Sequence, residues 1–428
     1  MRRGHFAAFA PHCPQCARTG AGDHVLVLAE VRAEHADEVI SGVLHCPNPG
    51  CQHEYPIIDG IPVIVPELRT LLAERGIELM LRDDIDPLLE SLLGDAMGPG
   101  GWFDVMRHTA SSYGWDGWAD LDPDEPLAGS GPTGKGAART DPARTGPAGE
   151  GPAGDCPAGD RAAGDGRTGD GPAGDAPPGN APAGGGPAGG GPAGDGPVPG
   201  AVRRCLVRLL DMAAPIGVVE RALDVGCGAG RSAFTLAERH PRALVLGIDT
   251  NLGLLRLAQG AAHGTVSYPR RRIGLVYDRR RFPVSLIGSE RVDFWACDAL
   301  ALPFAAASAD LVAALNLLDC VAEPRRLLAG LAEVLRRDGR LLLATPYDWS
   351  TRATPVETWI GGHSQRAAHR GAAEPFLRSL LTAGEHPQSV PGLRLLEEMH
   401  AWPWQTRLHE RSTVSYRSHL LALARSEG

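Results

Sequence analysis

Residues 222–238 read Ala-Leu-Asp-Val-Gly-Cys-Gly-Ala-Gly-Arg-Ser-Ala-Phe-Thr-Leu-Ala-Glu, and this stretch decides the fold. A short apolar run is followed by glycines at 226, 228 and 230 and then by a run with helical apolar spacing. The pattern predicts a buried strand, a glycine turn and a helix. Glycines let a backbone pass close to a ligand, and the first turn of a helix offers free N–H groups. The stretch therefore predicts a ligand-binding loop.

Further segments downstream alternate between strand-like and helix-like patterns, which is typical of an α/β domain with a parallel sheet. Residues 245–249 form an apolar run that ends in Asp249, and residues 293–298 form another that ends in Asp298. Residues 309–316 form a further apolar run, and residues 331–344 contain Asp338-Gly339 followed by the apolar run 341–344. An aspartate at the end of a strand is as consistent with a helix cap as with a ligand contact. The interpretation therefore depends on the order of all these segments along the chain.

The loop does not match a dinucleotide site, because Arg231 would crowd the helix–strand contact that the third glycine of Gly-x-Gly-x-x-Gly permits. Its Asp-x-Gly-x-Gly-x-Gly form, with the segments downstream, resembles class I S-adenosylmethionine (SAM) methyltransferases. The resemblance implies an α/β, Rossmann-like fold with a seven-stranded sheet over 201–428. In it, residues 309–316 match the fourth strand, and residues 331–344 match a helix, a turn and the fifth strand. It implies that SAM is held by Asp224, Gly226, Gly228 and Gly230 around the methionine part, by Asp249 at the ribose, and by Asp298 and Ala299 at the adenine.

Polar and aromatic residues follow the predicted fourth and fifth strands. Their pattern resembles the methyltransferase domain of ovothiol biosynthesis and related imidazole N-methyltransferases, with Thr345 in place of a serine. The resemblance implies a small polar acceptor, imidazole- or amine-like, bound by Asn316, Trp349 and Trp359, with Asp319, Tyr347 and His363 as catalytic candidates. The alternative is that the two tryptophans anchor a lid. His400 and His409 are further candidate bases. The predicted terminal hairpin, 393–407 and 412–425, is expected to bring Trp402, Trp404, Arg411 and Ser412 within reach of the site.

Two cysteine pairs lie near the amino terminus, Cys13-Pro-Gln-Cys16 and Cys46-Pro-Asn-Pro-Gly-Cys51. Turns that each present two thiolates suit a tetrahedral Zn²⁺, and four protein ligands leave no open position, which predicts a structural metal. His12, His45 and His53 are nearby substitutes. The alternative, a redox pair, is disfavoured because no βαβ context surrounds the first pair.

The run that follows Cys51 contains Tyr-Pro-Ile-Ile-Asp-Gly-Ile-Pro, residues 55–62. It resembles the small zinc-ribbon proteins that partner and stabilise methyltransferases. The resemblance covers about 55 residues and implies a scaffold or a module that docks a protein partner.

A tract over 128–200 holds 24 of the 55 glycines and 13 of the 36 prolines, with glycine in every fifth position from 149 to 194. It cannot bury enough apolar surface to offset its ordering entropy, so we expect a disordered tether. Collagen is excluded because it needs glycine in every third position. The sequence thus divides into a zinc-ribbon module (1–66), a helical connecting segment (67–127), the linker (128–200) and the methyltransferase domain (201–428).

The net charge of −9 argues against a chain that coats nucleic acid. No apolar run approaches the ~20 residues of a membrane helix, so we expect a soluble cytoplasmic protein without membrane contact. The arginine clusters at 270–272 and 279–281 have two interpretations: they contact phosphate or RNA, or they belong to an insertion that is exposed to solvent. Two alternatives therefore accompany the leading function: an RNA or protein methyltransferase, and a SAM-binding partner that has lost catalysis.

Overall fold

The computed structural model describes residues 1–71, 87–125, 197–382 and 384–425. Its helices are α1 (Arg3–Phe9), α2 (Pro14–Thr19), α3 (Pro87–Met97), α4 (Trp102–Trp118), α5 (Ala201–Met212), α6 (Arg231–Arg239), α7 (Leu252–Ala262), α8 (Pro324–Val334) and α9 (Ala373–Leu381). Its strands are β1 (Val27–His35), β2 (Glu38–His45), β3 (Glu54–Ile58), β4 (Ile61–Ile64), β5 (Arg221–Val225), β6 (Leu244–Asp249), β7 (Thr265–Ile273), β8 (Val276–Pro283), β9 (Val292–Cys297), β10 (Ala309–Leu315), β11 (Leu335–Thr345), β12 (Leu393–His409) and β13 (Ser412–Arg425).

Seven of these strands form the sheet that the sequence predicts, in the order β9-β6-β5-β10-β11-β13-β12. The first five are parallel, and β13 returns antiparallel between β11 and β12. Side chains on the two faces form two apolar cores, and β5, β9 and β10 are buried along almost their whole length. Parallel strands buried on both faces read as continuous apolar runs, which is why their positions could be predicted.

The amino-terminal strands continue this sheet. β1 to β4 pair in sequence, and β4 then pairs parallel with β9 through Val63 with Ala296 and Ile64 with Cys297, which extends the sheet to eleven strands. The expectation of a separate amino-terminal module is thus corrected. Main-chain hydrogen bonds join β4, which ends just before the predicted boundary at residue 66, to β9 of the predicted methyltransferase domain, so the two segments form one sheet.

The helical connecting segment is also part of the same body, as α4 packs against β7 and β12. The indole N–H of Trp118 donates to the Ala229 carbonyl at 3.1 Å, and Arg231 pairs with Asp120 at 2.9 Å. α4 lies within the predicted helical connecting segment, 67–127. Residues 72–86 and 126–127 of that segment, and most of the predicted tether, lie outside the described residues.

An insertion between β6 and β9 forms the hairpin β7–β8, which carries both arginine clusters. Three of their six guanidinium groups pair with acids of neighbouring elements: Arg270 with Glu125 at 3.2 Å, Arg280 with Asp122, and Arg279 with Glu90. These pairs join the hairpin to α3 and to the segment after α4. The structural interpretation of the arginines is therefore favoured over a nucleic-acid contact.

Among the described residues, no helix has both the length and the apolar character needed to cross a membrane.

Candidate functional site

The glycine loop lies between β5 and α6, and each of its three glycines has a positive φ: 72° at Gly226, 51° at Gly228 and 82° at Gly230. The glycines serve different contacts. A methyl group on Gly230 would lie 2.6 Å from Ala258 Cβ, so this glycine permits close helix packing. One on Gly228 would lie 3.0 Å from Tyr113 Cδ1, and Gly228 lines an open cavity.

The acids after two neighbouring strands accept hydrogen bonds from main-chain amides, and Asp249 in this way fixes the glycine loop. Asp249 accepts hydrogen bonds from the amides of Gly228 at 2.9 Å and Asn251 at 2.8 Å. Asp298 accepts from the amide of Leu300 at 2.8 Å. Both carboxylates line the same cavity as the glycine loop. The acids that follow successive strands in the sequence thus lie together at one site.

Asp224 has a different role from the one predicted. It is 1% exposed, does not line the cavity, and accepts a hydrogen bond from the Ser232 hydroxyl at 2.5 Å. Burial raises the pKa of Asp224 to about 7. Asp224 thus ties the strand to the first turn of α6, and together with Gly230 it supports the loop from behind.

The cavity has a volume of about 630 Å³, within the range of small-ligand sites. Four of its wall residues come from α4, which the sequence had assigned to a connecting segment: Ser112, Tyr113, Asp116 and Gly117. The terminal hairpin adds Trp404, Thr406 and Tyr416. The contribution of α4 was missed because its residues precede the glycine loop by more than 100 positions and follow no local motif.

Asn316 and Asp319 follow β10 and line the cavity together with Asp348. Asn316 has a positive φ of 51°, and its side-chain oxygen accepts a hydrogen bond from the Ser418 hydroxyl at 3.5 Å. Asp319 is 2% exposed and accepts a hydrogen bond from the Asp348 amide at 2.6 Å. Burial, with a smaller contribution from the nearby Asp348 charge, raises the pKa of Asp319 to about 6. Asp319 can therefore take up a proton near neutral pH.

The structure places four predicted acceptor-site residues outside this cavity. Trp349 and Trp359 stack on each other with ring centroids 6.1 Å apart, and the Trp359 indole N–H donates to the Thr354 carbonyl at 2.9 Å. The two tryptophans thus anchor the segment after β11, in agreement with the alternative interpretation in which they hold a lid. Tyr347 contacts His419 at 2.7 Å and His363 is exposed. None of these four side chains lines the cavity, so their predicted acceptor contacts are not supported.

The four predicted zinc ligands come together. The Sγ atoms of Cys13 and Cys51 lie 3.8 Å apart and those of Cys16 and Cys46 lie 3.6 Å apart, with all four within 4.8 Å of one another. The Tyr55 hydroxyl contacts Cys13 Sγ at 3.2 Å.

Comparison with known proteins matches residues 223–343 to the family described as "Methyltransferase domain". The chain is 40% identical over 52 residues to a trans-aconitate 2-methyltransferase of Rhodopseudomonas palustris (strain BisB5), covering 12% of this chain and 20% of that protein. It is 42% identical over 45 residues to the same enzyme of Methylobacterium nodulans, covering 10% and 17%. The chain thus spans about a fifth of the length of these relatives.

A solved SAM-dependent methyltransferase from Methanosarcina mazei is 20% identical, with a TM-score of 0.33, covering 50% of this chain and 95% of the other. The segment 223–343 therefore matches a methyltransferase-domain family, and it holds the glycine loop, Asp249, Asp298 and Asp319.

Proposed function

We propose that the protein is a SAM-dependent methyltransferase that acts on a small polar acceptor with an amine or imidazole group. The observation that carries this proposal is the single cavity of about 630 Å³ that the glycine loop and the proton-accepting carboxylate of Asp319 both line. A candidate donor site and a candidate base thus share one cavity.

The lining fits the chemical groups of SAM. Asp249 and Asp298 offer carboxylate oxygens to ribose hydroxyls and to an adenine amino group. Arg231 is 7% exposed, and its Nη1 faces no acceptor among the described residues; the carboxylate of the methionine part would supply one. We propose that Gly226, Gly228 and Ala299 complete the contact, with Asp224 and Gly230 supporting it from outside.

When bound, SAM supplies an electrophilic methyl group on a sulfonium, so the chain must orient the acceptor and exclude water. We propose that Asn316 holds the acceptor through its amide and that Asp319 takes the proton that a protonated or weakly acidic acceptor must lose. The main-chain amide of Asp348 fixes Asp319 by donating a hydrogen bond to its Oδ2 atom. Oδ1 of Asp319 lies outside that contact.

The acceptor class follows from the character of the wall. Three aromatic side chains line the cavity, Tyr113, Trp404 and Tyr416, together with the carboxyl groups of Asp116, Asp319 and Asp348. Aromatic faces and carboxylates attract cations and hydrogen-bond donors. Carboxyl groups outnumber the guanidinium groups of the wall, Arg231 and Arg352. This excess of acids favours an amine or imidazole acceptor over a tricarboxylate such as the trans-aconitate of the relatives' names.

An RNA acceptor, the main alternative, would need basic surface beside the site. The arginine clusters of β7 and β8 pair with Glu125, Asp122 and Glu90, and the net charge is −9. The small-molecule acceptor therefore remains the proposal.

We further propose that Cys13, Cys16, Cys46 and Cys51 bind a structural Zn²⁺. Zn–S bonds of about 2.3 Å in a tetrahedron place sulfur atoms about 3.8 Å apart. The separations of 3.6 and 3.8 Å match this spacing. Asn48 donates its amide to Cys16 Sγ at 3.4 Å, which is the kind of outer contact that orients a thiolate ligand.

The experiment that tests the function incubates the full chain with isotopically labelled SAM and a metabolite extract, with purified RNA in a parallel reaction. We expect labelled methyl groups on amine- or imidazole-containing metabolites, and loss of that product in Asp319→Asn. Labelled RNA, or labelled trans-aconitate added as a competitor, would contradict the proposed acceptor class.

A further inference from the structure

A second group of metal-ligand residues lies on the face of the terminal hairpin that points away from the cavity. On β13, Tyr416 lines the cavity and Ser418 contacts Asn316, so the alternation of a strand turns His419 to the opposite face. There, ligand atoms of Glu398, His400 and His419 lie within 4.8 Å of one another. His419 is fully buried, whereas the His400 side chain is 50% exposed.

Each imidazole is held through its Nδ1 atom. His400 Nδ1 lies 2.8 Å from a Glu374 carboxylate oxygen, and His419 Nδ1 lies 2.7 Å from the Tyr347 hydroxyl. The rings are nearly parallel, with an angle of 15° and centroids 5.0 Å apart. Histidines that bind metals through one ring nitrogen commonly have the other nitrogen fixed by a carboxylate or another polar group. Both rings have that arrangement here.

The remaining nitrogens face one carboxylate. His419 Nε2 lies 3.1 Å from Glu398 Oε2, and His400 Nε2 lies 3.8 Å from Glu398 Oε1. Bonds of about 2.0–2.2 Å to one tetrahedral ion would place such ligand atoms about 3.3 Å apart. The separation of His419 Nε2 from Glu398 Oε2 is close to that value, and a ligand atom of His400 lies within 4.8 Å of the other two, so small side-chain movements would complete the site.

We propose that Glu398, His400 and His419 form a second metal site, which binds a divalent transition-metal ion of the zinc type. Two imidazoles and a carboxylate suit such ions, and three protein ligands leave a position open on the exposed side of His400. Arg378 contacts Glu398 Oε1 at 2.7 Å, so the ion takes Oε2 and shares the carboxylate with the guanidinium.

The site has a structural link to the cavity. Tyr347, which holds His419, has a positive φ of 57°, and the amide of the next residue, Asp348, donates to Asp319 at 2.6 Å. An ion at His419 would therefore order the turn that fixes Asp319. The proposal itself does not depend on methyl transfer, because its primary readout is metal content.

The test equilibrates the folded full chain with excess Zn²⁺, removes free ion by gel filtration and measures zinc per chain. We expect two ions in the parent and one in both His400→Gln and Glu398→Gln. Glu397→Gln is the matched control, because Glu397 is the neighbour on the same strand but pairs with Arg208 at 3.1 Å. It should retain two.

A single ion in the parent, or two ions in His400→Gln, overturns the proposal. His400 is half exposed, so its replacement should leave the melting curve of the zinc-treated chain cooperative. Co²⁺ in place of Zn²⁺ gives an independent readout. The thiolate charge-transfer band of the cysteine site should persist in His400→Gln, while the ligand-field absorption from the second site should disappear. A variant spectrum identical to that of the parent contradicts the site.

Discussion

The Asp116 carboxylate accepts a hydrogen bond from the amide of Ala201 at 3.0 Å, although the two residues lie 85 positions apart. The Gly200 amide also donates to the Asp116 carbonyl at 2.8 Å. Asp116 thus caps α5 from α4, across the glycine- and proline-rich tract. The elements on the two sides of the tract are joined by direct contacts, and the tract connects parts of a single body.

The first prediction concerns this tract. Deleting residues 146–196 should leave the melting temperature and the SAM affinity within error, because the contacts of Asp116 and Asp120 hold its flanking elements together. Asp116→Ala in the intact chain should reduce the free energy of unfolding by about 1 kcal/mol through loss of the cap. Differential scanning calorimetry measures the stability of both variants, and isothermal titration calorimetry measures the SAM affinity of the deletion variant. A deletion more destabilising than Asp116→Ala would show that the tract itself contributes to the fold.

The second prediction separates two glycines of one loop. Gly230→Ala should lower the melting temperature, because its methyl group would lie 2.6 Å from Ala258 Cβ in a packed interior. Gly228→Ala should mainly weaken SAM binding, because its methyl group enters the cavity beside Tyr113. Gly330→Ala in α8, where the nearest atom lies 3.9 Å away, is the control and should be neutral or stabilising by up to about 1 kcal/mol. Equal effects of the two loop variants on binding and stability would contradict this division.

The third prediction is a pH dependence. With the pKa of Asp319 at about 6, its carboxylate is ionised above that pH and protonated below it, so kcat/KM should fall as the pH drops through 6. Charged or titratable groups near Asp319 are Asp348, Cys320, Tyr113, Tyr347 and Tyr416. Asp319→Asn should lower kcat by about 10²–10⁴-fold and remove this limb of the profile. An unchanged limb in the variant would assign the titration to another group.

The fourth prediction concerns the cysteine site. If the site holds the proposed zinc, chelation or Cys46→Ser should lower the melting temperature by more than about 5 °C, roughly 2 kcal/mol at this chain length. The effect should reach the whole fold, because β2 and β3 lead from the metal turns to β4, which pairs with β9. The buried Cys205 lies outside the cluster, and Cys205→Ala serves as the comparison, with no change in metal content. A zinc-free chain with the parent's melting curve would contradict a structural role.

Local patterns predicted much of this architecture. The strands around the glycine loop are short apolar runs, and the hairpin 393–407 and 412–425 was predicted almost to its observed ends, at His409 and Arg425. The clustering of Cys13, Cys16, Cys46 and Cys51 was predicted from their spacing. Such features depend on neighbours in sequence, so a single sequence contains them.

Contacts between distant elements were out of reach. The pairing of β4 with β9 joins residues more than 200 positions apart, and the packing of α4 over the glycine loop follows no motif. Tyr347 was predicted to face the acceptor, but its hydroxyl contacts His419 on the far side of the hairpin. One residue of difference along a strand or turn reverses the face that a side chain occupies, and this direction is set by the tertiary fold.

The most direct test of the account is isothermal titration calorimetry of SAM into the full chain and into Asp249→Ala. We predict one SAM per parent chain and an affinity roughly 10–100-fold lower in the variant, since a hydrogen bond to a charged group contributes about 1.5–3 kcal/mol. Asp278→Ala, in the exposed β7–β8 hairpin, should bind as the parent does. A folded parent that binds no SAM, or an Asp249→Ala variant with the parent's affinity, would contradict the proposed donor site.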